Sequence, residues 1–145
     1  MSKALEIYPE LDNDSNYFNS PCDYDPIVQS FGAVVVKVDE DNYQGDSFVY
    51  YIDNDRHGIL IFGWGSCCGC DALQACRSIK DVDDLIESLE KGIKWFTATE
   101  LYNWLTDDEY QETQYHYHNE PWHTFKKQVV EKLTKSIVEE VLIKK

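Results

Sequence analysis

The amino-acid sequence predicts an α+β protein. The expected order is a three-stranded antiparallel β-meander, a cysteine-bearing loop, then about three helices packed on one face of the sheet. Three observations lead there. Between residues 32 and 66, β-branched and apolar residues come in short blocks separated by polar turns. From Ser78 onward, apolar residues recur at three- and four-residue steps, which is one face of a helix. The change of period falls on a stretch that holds four of the five cysteines.

The 145 residues suit a single domain spanning 1–145, since one core usually serves roughly 100–200 residues. Residues 1–31 have no clear period. Asp12-Asn13-Asp14-Ser15-Asn16, Pro21 and Pro26 are turn signals, so an irregular acidic arm is expected, with Tyr8, Tyr17, Phe18 and Tyr24 able to pin it to the core. In 32–66 the strands are expected at Gly32 to Val38, Ser47 to Asp53 and Gly58 to Trp64. The turns between them fall at Asp39-Glu40-Asp41-Asn42 and Asn54-Asp55. The near-continuous Ile59-Leu60-Ile61-Phe62 suggests a strand buried on both faces. Residues 67–77 form the cysteine loop and 78–145 the helical part.

Ser78-Ile79-Lys80-Asp81 fits a capping box ahead of the stripe Val82, Leu85, Ile86, Leu89, Ile93. Gly92 is placed to end that helix in a left-handed conformation. Thr97-Ala98-Thr99-Glu100 is a second box, with Phe96 and Leu101 spaced as a hydrophobic staple, and this helix runs to about Leu105. Asp107 to Asn119 is polar and reads as loop. Pro121 then suits the start of a last helix striped by Trp122, Phe125, Val129, Leu133, Ile137 and Val141.

The formal net charge is -14. It is uneven: residues 1–120 hold 24 of 27 acids and 7 of 13 bases, a net -17, and the rest are mildly basic. Such a surface repels phosphates and anionic lipids, so neither nucleic acid nor membrane is an expected partner. It suits a basic protein surface instead, through an acidic face carrying Asp81, Asp83, Asp84, Glu87, Asp107, Asp108 and Glu109. The opening Met1-Ser2-Lys3-Ala4 leads into no apolar run, so a cytoplasmic setting is expected. The last helix leaves monomer and homodimer both open.

Cys22, Cys67, Cys68, Cys70 and Cys76 are an odd number and do not read as a secreted disulfide framework. Three chemistries compete for the loop. Cys67 and Cys70 form a C-x-x-C pair after a strand and a Trp, the local order of a redox site or a cysteine nucleophile. Against that, Asp71 opposes thiolate formation, and only helices are expected to follow. The same pair supplies two corners of a tetrahedral zinc site, with Cys76 as a third ligand and Cys22, His57, His116 and His118 as further candidates. The plain alternative is packing: the thiols act as small apolar groups around a glycine-rich turn, and no cofactor is needed. Tyr115-His116-Tyr117-His118 with His123 reads first as a surface loop and second as a metal site. The four tryptophans fall on or near apolar stripes and are expected in the core.

Tyr43-Gln44-Gly45-Asp46-Ser47 and the long run Phe62-Gly63-Trp64-Gly65-Ser66-Cys67-Cys68-Gly69-Cys70-Asp71-Ala72-Leu73 resemble segments shared by a group of small acidic phage and prophage proteins. The resemblance covers roughly residues 32–105. It departs at Cys68, where the group's pattern has serine, which makes Cys68 dispensable for any shared chemistry. The resemblance implies a mobile-element setting, and with the charge it implies a protein that binds and inhibits a host protein, such as a defence or nucleic-acid enzyme.

Overall fold

In a computed structural model of the chain, described for residues 2–12, 18–40, 45–65, 71–114 and 119–143 with side chains through Glu139, four strands form one antiparallel sheet. They are β1 (Ala33–Asp39), β2 (Gly45–Asp53), β3 (Arg56–Trp64) and β4 (Lys94–Phe96), in spatial order β1-β2-β3-β4. Among the described residues there are six α-helices: α1 (Lys3–Ile7), α2 (Asp25–Ser30), α3 (Ile79–Lys91), α4 (Ala98–Thr106), α5 (Asp108–Glu112) and α6 (Glu120–Ile143). A 3-10 turn covers Pro9–Leu11. The α+β class is as expected. No helix among the described residues is long and apolar enough to cross a membrane.

The meander is confirmed and extended. β2 and β3 pair from Gly45↔Trp64 to Asp53↔Arg56, closed by a two-residue turn in which Asn54 takes φ 58°. Asparagine tolerates that left-handed conformation better than most residues. The fourth strand escapes a sequence reading because three residues are too few to show alternation. It pairs through His57↔Phe96, Gly58↔Trp95 and Ile59↔Lys94. The close approach needs glycine at 58, where a Cβ would lie 2.8 Å from the Trp95 ring and 2.9 Å from Ile93. The Arg56 guanidinium covers the Trp95 ring at 4.5 Å from its centroid.

The expectation that helices cover one face is corrected: they cover both. Side chains alternate across a strand, so the unbroken run Phe48-Val49-Tyr50-Tyr51 feeds two cores at once. Val49, Tyr51, Leu60 and Phe62 pack under α1, α2 and α3, through Ala4, Ile27, Val28, Val82 and Ile86. Val36, Phe48, Tyr50 and Ile59 pack under α4 and α6, through Leu101, Leu105, Trp122, Phe125, Val129 and Leu133. The two-faced burial read from Ile59-Leu60-Ile61-Phe62 holds, with alternate residues in opposite cores.

The acidic arm is therefore a structural layer. Its first helix is tied down by Asp83 on α3, whose carboxylate accepts from the Ser2 hydroxyl and the Ala4 N–H at 2.8 Å. Tyr8 and Tyr24 are buried and Phe18 packs against the same core, while Tyr17 lies outside the described residues. Thr97 forms the expected capping box, whereas Ser78 caps α3 without the reciprocal half, because the Asp81 carboxylate accepts from Arg77 N–H instead. The Ser78 hydroxyl accepts from Asp81 N–H at 3.1 Å, and Thr97 and Glu100 exchange bonds of 2.9 and 3.2 Å. The backbone bond from Thr97 holds the Glu100 carboxyl below its usual range. Gly92 is a correction, since it ends α3 in right-handed conformation, with φ -79°. Part of the expected 107–119 loop is helix α5, nucleated by Asp107, whose side chain accepts from Tyr110 N–H at 3.1 Å.

Candidate functional site

The two segments that carried the resemblance meet at one end of the sheet. Gly45 pairs with Trp64 and Asp46 with Gly63. Beyond Gly65 the chain passes through residues 66–70, outside the described residues, and returns at Asp71.

Asp71 is the centre of this end. It is only 3% exposed, and its carboxylate accepts four hydrogen bonds. The donors are Gly65 N–H at 2.8 Å, Leu73 N–H at 2.9 Å, Gln74 N–H at 3.0 Å and the Tyr24 hydroxyl at 2.9 Å. The bonds to the second and third residues onward are the local turn an aspartate makes with its own backbone. The other two are tertiary, and Gln74 Nε2 adds a bond back to the Gly65 carbonyl at 3.1 Å. Both ends of the 66–70 stretch are thus clasped together. From sequence, Asp71 stood out only as a charge opposing a thiolate. Its structural task has a weak local signal, the aspartate before a turn, and no signal for Tyr24.

Of the cysteines, only Cys22 and Cys76 fall among the described residues. Cys67 and Cys70, the candidate redox pair and first two metal ligands, lie outside the described residues, as do Cys68, His116 and His118. Cys76, the third candidate ligand, is buried in the core beneath α3, and its thiol donates to the Ala72 carbonyl at 3.4 Å. Burial, helped by Asp81 and Asp71, pushes its thiol up, away from the thiolate a metal needs. His57 is buried, with Nδ1 2.7 Å from the Tyr50 hydroxyl. Cys22 is exposed. Among the described residues no three His, Cys, Asp or Glu side chains come together as metal ligands.

Cys22 lines a cleft of about 310 Å³ together with Lys37, Asp39, Ser47, Trp64 and Asp71. Lys37 is held there between Asp25 at 3.1 Å and Asp39 at 2.9 Å. These carboxylates keep its ammonium above the usual lysine range even though burial opposes the charge. Beside the cleft, Glu40 accepts from Asp46 N–H at 2.7 Å.

Burial and then the Glu40 charge raise the Asp46 carboxyl. A carboxyl raised on folding binds its proton more tightly in the native state. Its contribution is therefore present below the unfolded value of about 3.9 and is lost as pH rises through the folded value. Asp46→Asn is accordingly expected to raise the urea midpoint at pH 7 relative to wild type and to lose that advantage below about pH 4. A lower midpoint at pH 7 would show that the charged carboxylate is needed there.

The seven acids expected to form one contact face have different surroundings. On α3, Asp81 accepts from Arg77 N–H, Asp83 caps α1, Asp84 pairs with Lys80 at 2.9 Å and Glu87 with Lys91 at 2.8 Å. Asp107 caps α5. Asp108 and Glu109 are exposed on α5, with Glu112 on the same helix, and none of their side chains has a hydrogen bond or ion pair among the described residues. Between them Tyr110 is 39% exposed, its ring 6.2 Å from Trp104. The sequence reading missed this aromatic because it took the segment as loop.

Comparison with protein-family models, curated proteins and solved structures finds no match to this chain.

Proposed function

We propose that the chain is a binding protein that docks on a basic surface of another protein and inhibits it, in the manner of a small acidic phage protein acting on a host enzyme. The observation that carries this reading is the α5 corner. Where α3 spends its acids on intrachain bonds, α5 offers unpaired Asp108, Glu109 and Glu112 around a half-exposed Tyr110 backed by Trp104. An aromatic anchor at the centre with charged residues at the rim is a common interface arrangement. Charge would steer and orient the encounter, and the aromatic would supply most of the affinity. The net -14 charge and the resemblance to phage proteins support the same direction.

The test is capture from a cell extract at low salt with wild type and with Asp108→Lys/Glu109→Lys/Glu112→Lys, followed by titration of the identified, purified partner. Wild type should bind with an affinity that falls steeply with salt, and the triple variant should lose at least tenfold. Binding that ignores both salt and charge reversal would remove the electrostatic reading.

A second reading is favoured by the clasp at Asp71, which holds both ends of the cysteine stretch at one place. On this reading the cysteine loop is a zinc-stabilised module. A C-x-x-C pair whose flanking backbone is already fixed loses less entropy on binding a metal.

A further inference from the structure

We propose that the outer edge of β1 is a second contact surface, which takes up an extended segment of a partner protein as a fifth strand, with Lys or Arg at the positions of that segment beside Asp25 and Asp39. The inference goes beyond the reading above, because it makes no use of the α5 corner.

Three observations carry it. First, β1 is the end strand of the sheet and pairs with β2 on one side only. The Glu40 N–H donates to the Asp46 carbonyl at 3.0 Å, so position 40 faces β2. In an antiparallel pair, residues that bond to the neighbour alternate with residues that face away. Val36 and Val38 therefore bond to β2, and Lys37 and Asp39 turn their N–H and C=O outward. Among the described residues, no hydrogen bond reaches those outward groups. Unpaired strand groups are a template for another strand. Second, the edge is accessible and partly apolar. Val34 is 36% exposed, and Val35 and Val38 are only partly buried against the second core. A bulge between Val34 and Val36 sets where regular pairing ends. Third, the face carrying the Lys37 and Asp39 side chains is acidic. Lys37 lies between Asp25 at 3.1 Å and Asp39 at 2.9 Å, yet those two carboxylates stay about half exposed. The adjoining cleft adds Asp23 and Glu40, with Lys37 the one cation among its described lining residues.

These two faces specify the occupant. Neighbouring strands lie about 4.8 Å apart, and directly opposed residues share a face. Residues of the added strand opposite Lys37 and Asp39 would meet the carboxylates, which favours Lys or Arg. The residues between them would extend the apolar surface of Val36 and Val38, which favours β-branched side chains. A second copy of this chain fits poorly, because two bodies of net charge -14 repel each other. Main-chain bonds would supply the affinity and the alternating side chains the selectivity.

The test uses the full chain and a capped synthetic peptide of alternating Lys and Val, as long as the seven-residue β1. Two isomers carry main-chain N-methyl groups, one on its Lys residues and the other on its Val residues. They have the same charge, but only the Lys residues should present their N–H to β1. A Glu-Val peptide controls for charge. Binding is measured by calorimetry, and amide exchange at Lys37 and Asp39 locates it. The Lys-Val peptide should bind more weakly as salt rises and should slow exchange at both amides at least tenfold. Methylation of its Lys residues should cost at least tenfold in affinity, and methylation of its Val residues much less. Lys37→Pro, with circular dichroism checking the fold, should also lose at least tenfold. That variant removes a cation, which by charge alone would strengthen binding, so a loss reports the missing N–H. If it does not fold, the two methylated isomers decide. Tyr110→Ala, which alters the α5 corner without changing charge, should bind the peptide as wild type does. Equal affinity of the two isomers, equal binding of the Glu-Val peptide, loss of binding in Tyr110→Ala or no binding of the Lys-Val peptide would each overturn the proposal. A wild-type dimer in sedimentation that Lys37→Pro makes monomeric would give the edge to a second copy and overturn it as well.

Discussion

Replacing Asp71 by alanine is expected to destabilise the protein by about 3–5 kcal/mol. The carboxylate is buried and accepts from Gly65, Leu73, Gln74 and Tyr24. Hydrogen bonds to a charged group are worth roughly 1.5–3 kcal/mol each, and the loss would leave buried donors unpaired. Not all four contributions add, because they share one group. Even the lower figure is a large part of a typical stability of roughly 5–15 kcal/mol. Urea unfolding measures the total, and amide exchange at Gly65, Leu73 and Gln74 locates it. Asp71→Asn keeps one acceptor oxygen and should lose less. A loss below about 1 kcal/mol in the alanine variant would show that these bonds do not hold the turn.

The second large effect is expected at Trp122. Its ring is wholly buried, with centroids 5.4 Å from Phe48, 5.8 Å from Phe125 and 6.2 Å from Trp104. It is where α6 meets β2 and α4. Trp122→Ala should cost roughly 3–5 kcal/mol, since removing a large buried ring loses transfer energy and leaves a cavity that rigid neighbours cannot fill. For a chain of this length, calorimetry should show the melting temperature falling on the order of 10 °C. The contrast is Val138→Ala on the same helix: that side chain is 51% exposed, and the change should stay within about 0.5 kcal/mol. If both variants melted like wild type, α6 would not be part of the second core.

Much of the secondary structure was readable because it rests on local rules. Ser78 and Thr97 cap their helices through bonds made within three residues, so the residue types alone are sufficient. The β2–β3 hairpin has Asn54 in its turn and blocks of β-formers either side. Other features escaped for stated reasons. β4 has three residues, α5 has five, and neither is long enough to display a period. Gly92 was read as a left-handed cap from its identity, yet the chain has to turn straight into Ile93 and β4, and a right-handed residue does that.

The candidate sites divide the same way. The C-x-x-C pair and the acidic balance are properties of the sequence and were visible at once. Which acids remain available is a property of the fold: Asp83, Asp84 and Glu87 found partners on or beside α3, whereas Asp108 and Glu109 did not. The sequence favoured Cys76 over Cys22 as a third ligand, yet it is Cys76 that the fold buries and Cys22 that it leaves exposed.

The sequence by itself determined the α+β class, the meander, the helix starts and the acidic character, because propensity, capping and charge act over a few residues. Only the tertiary structure decided that helices cover both faces of the sheet, that Asp71 is held by Gly65 and Tyr24, and that Cys22 is exposed in a cleft while Cys76 is buried. Those outcomes depend on groups far apart in the chain, such as Tyr24 with Asp71, 47 positions apart, and Ser2 with Asp83, 81 apart. Such pairings are selected by the burial of two cores together, and no local pattern encodes them.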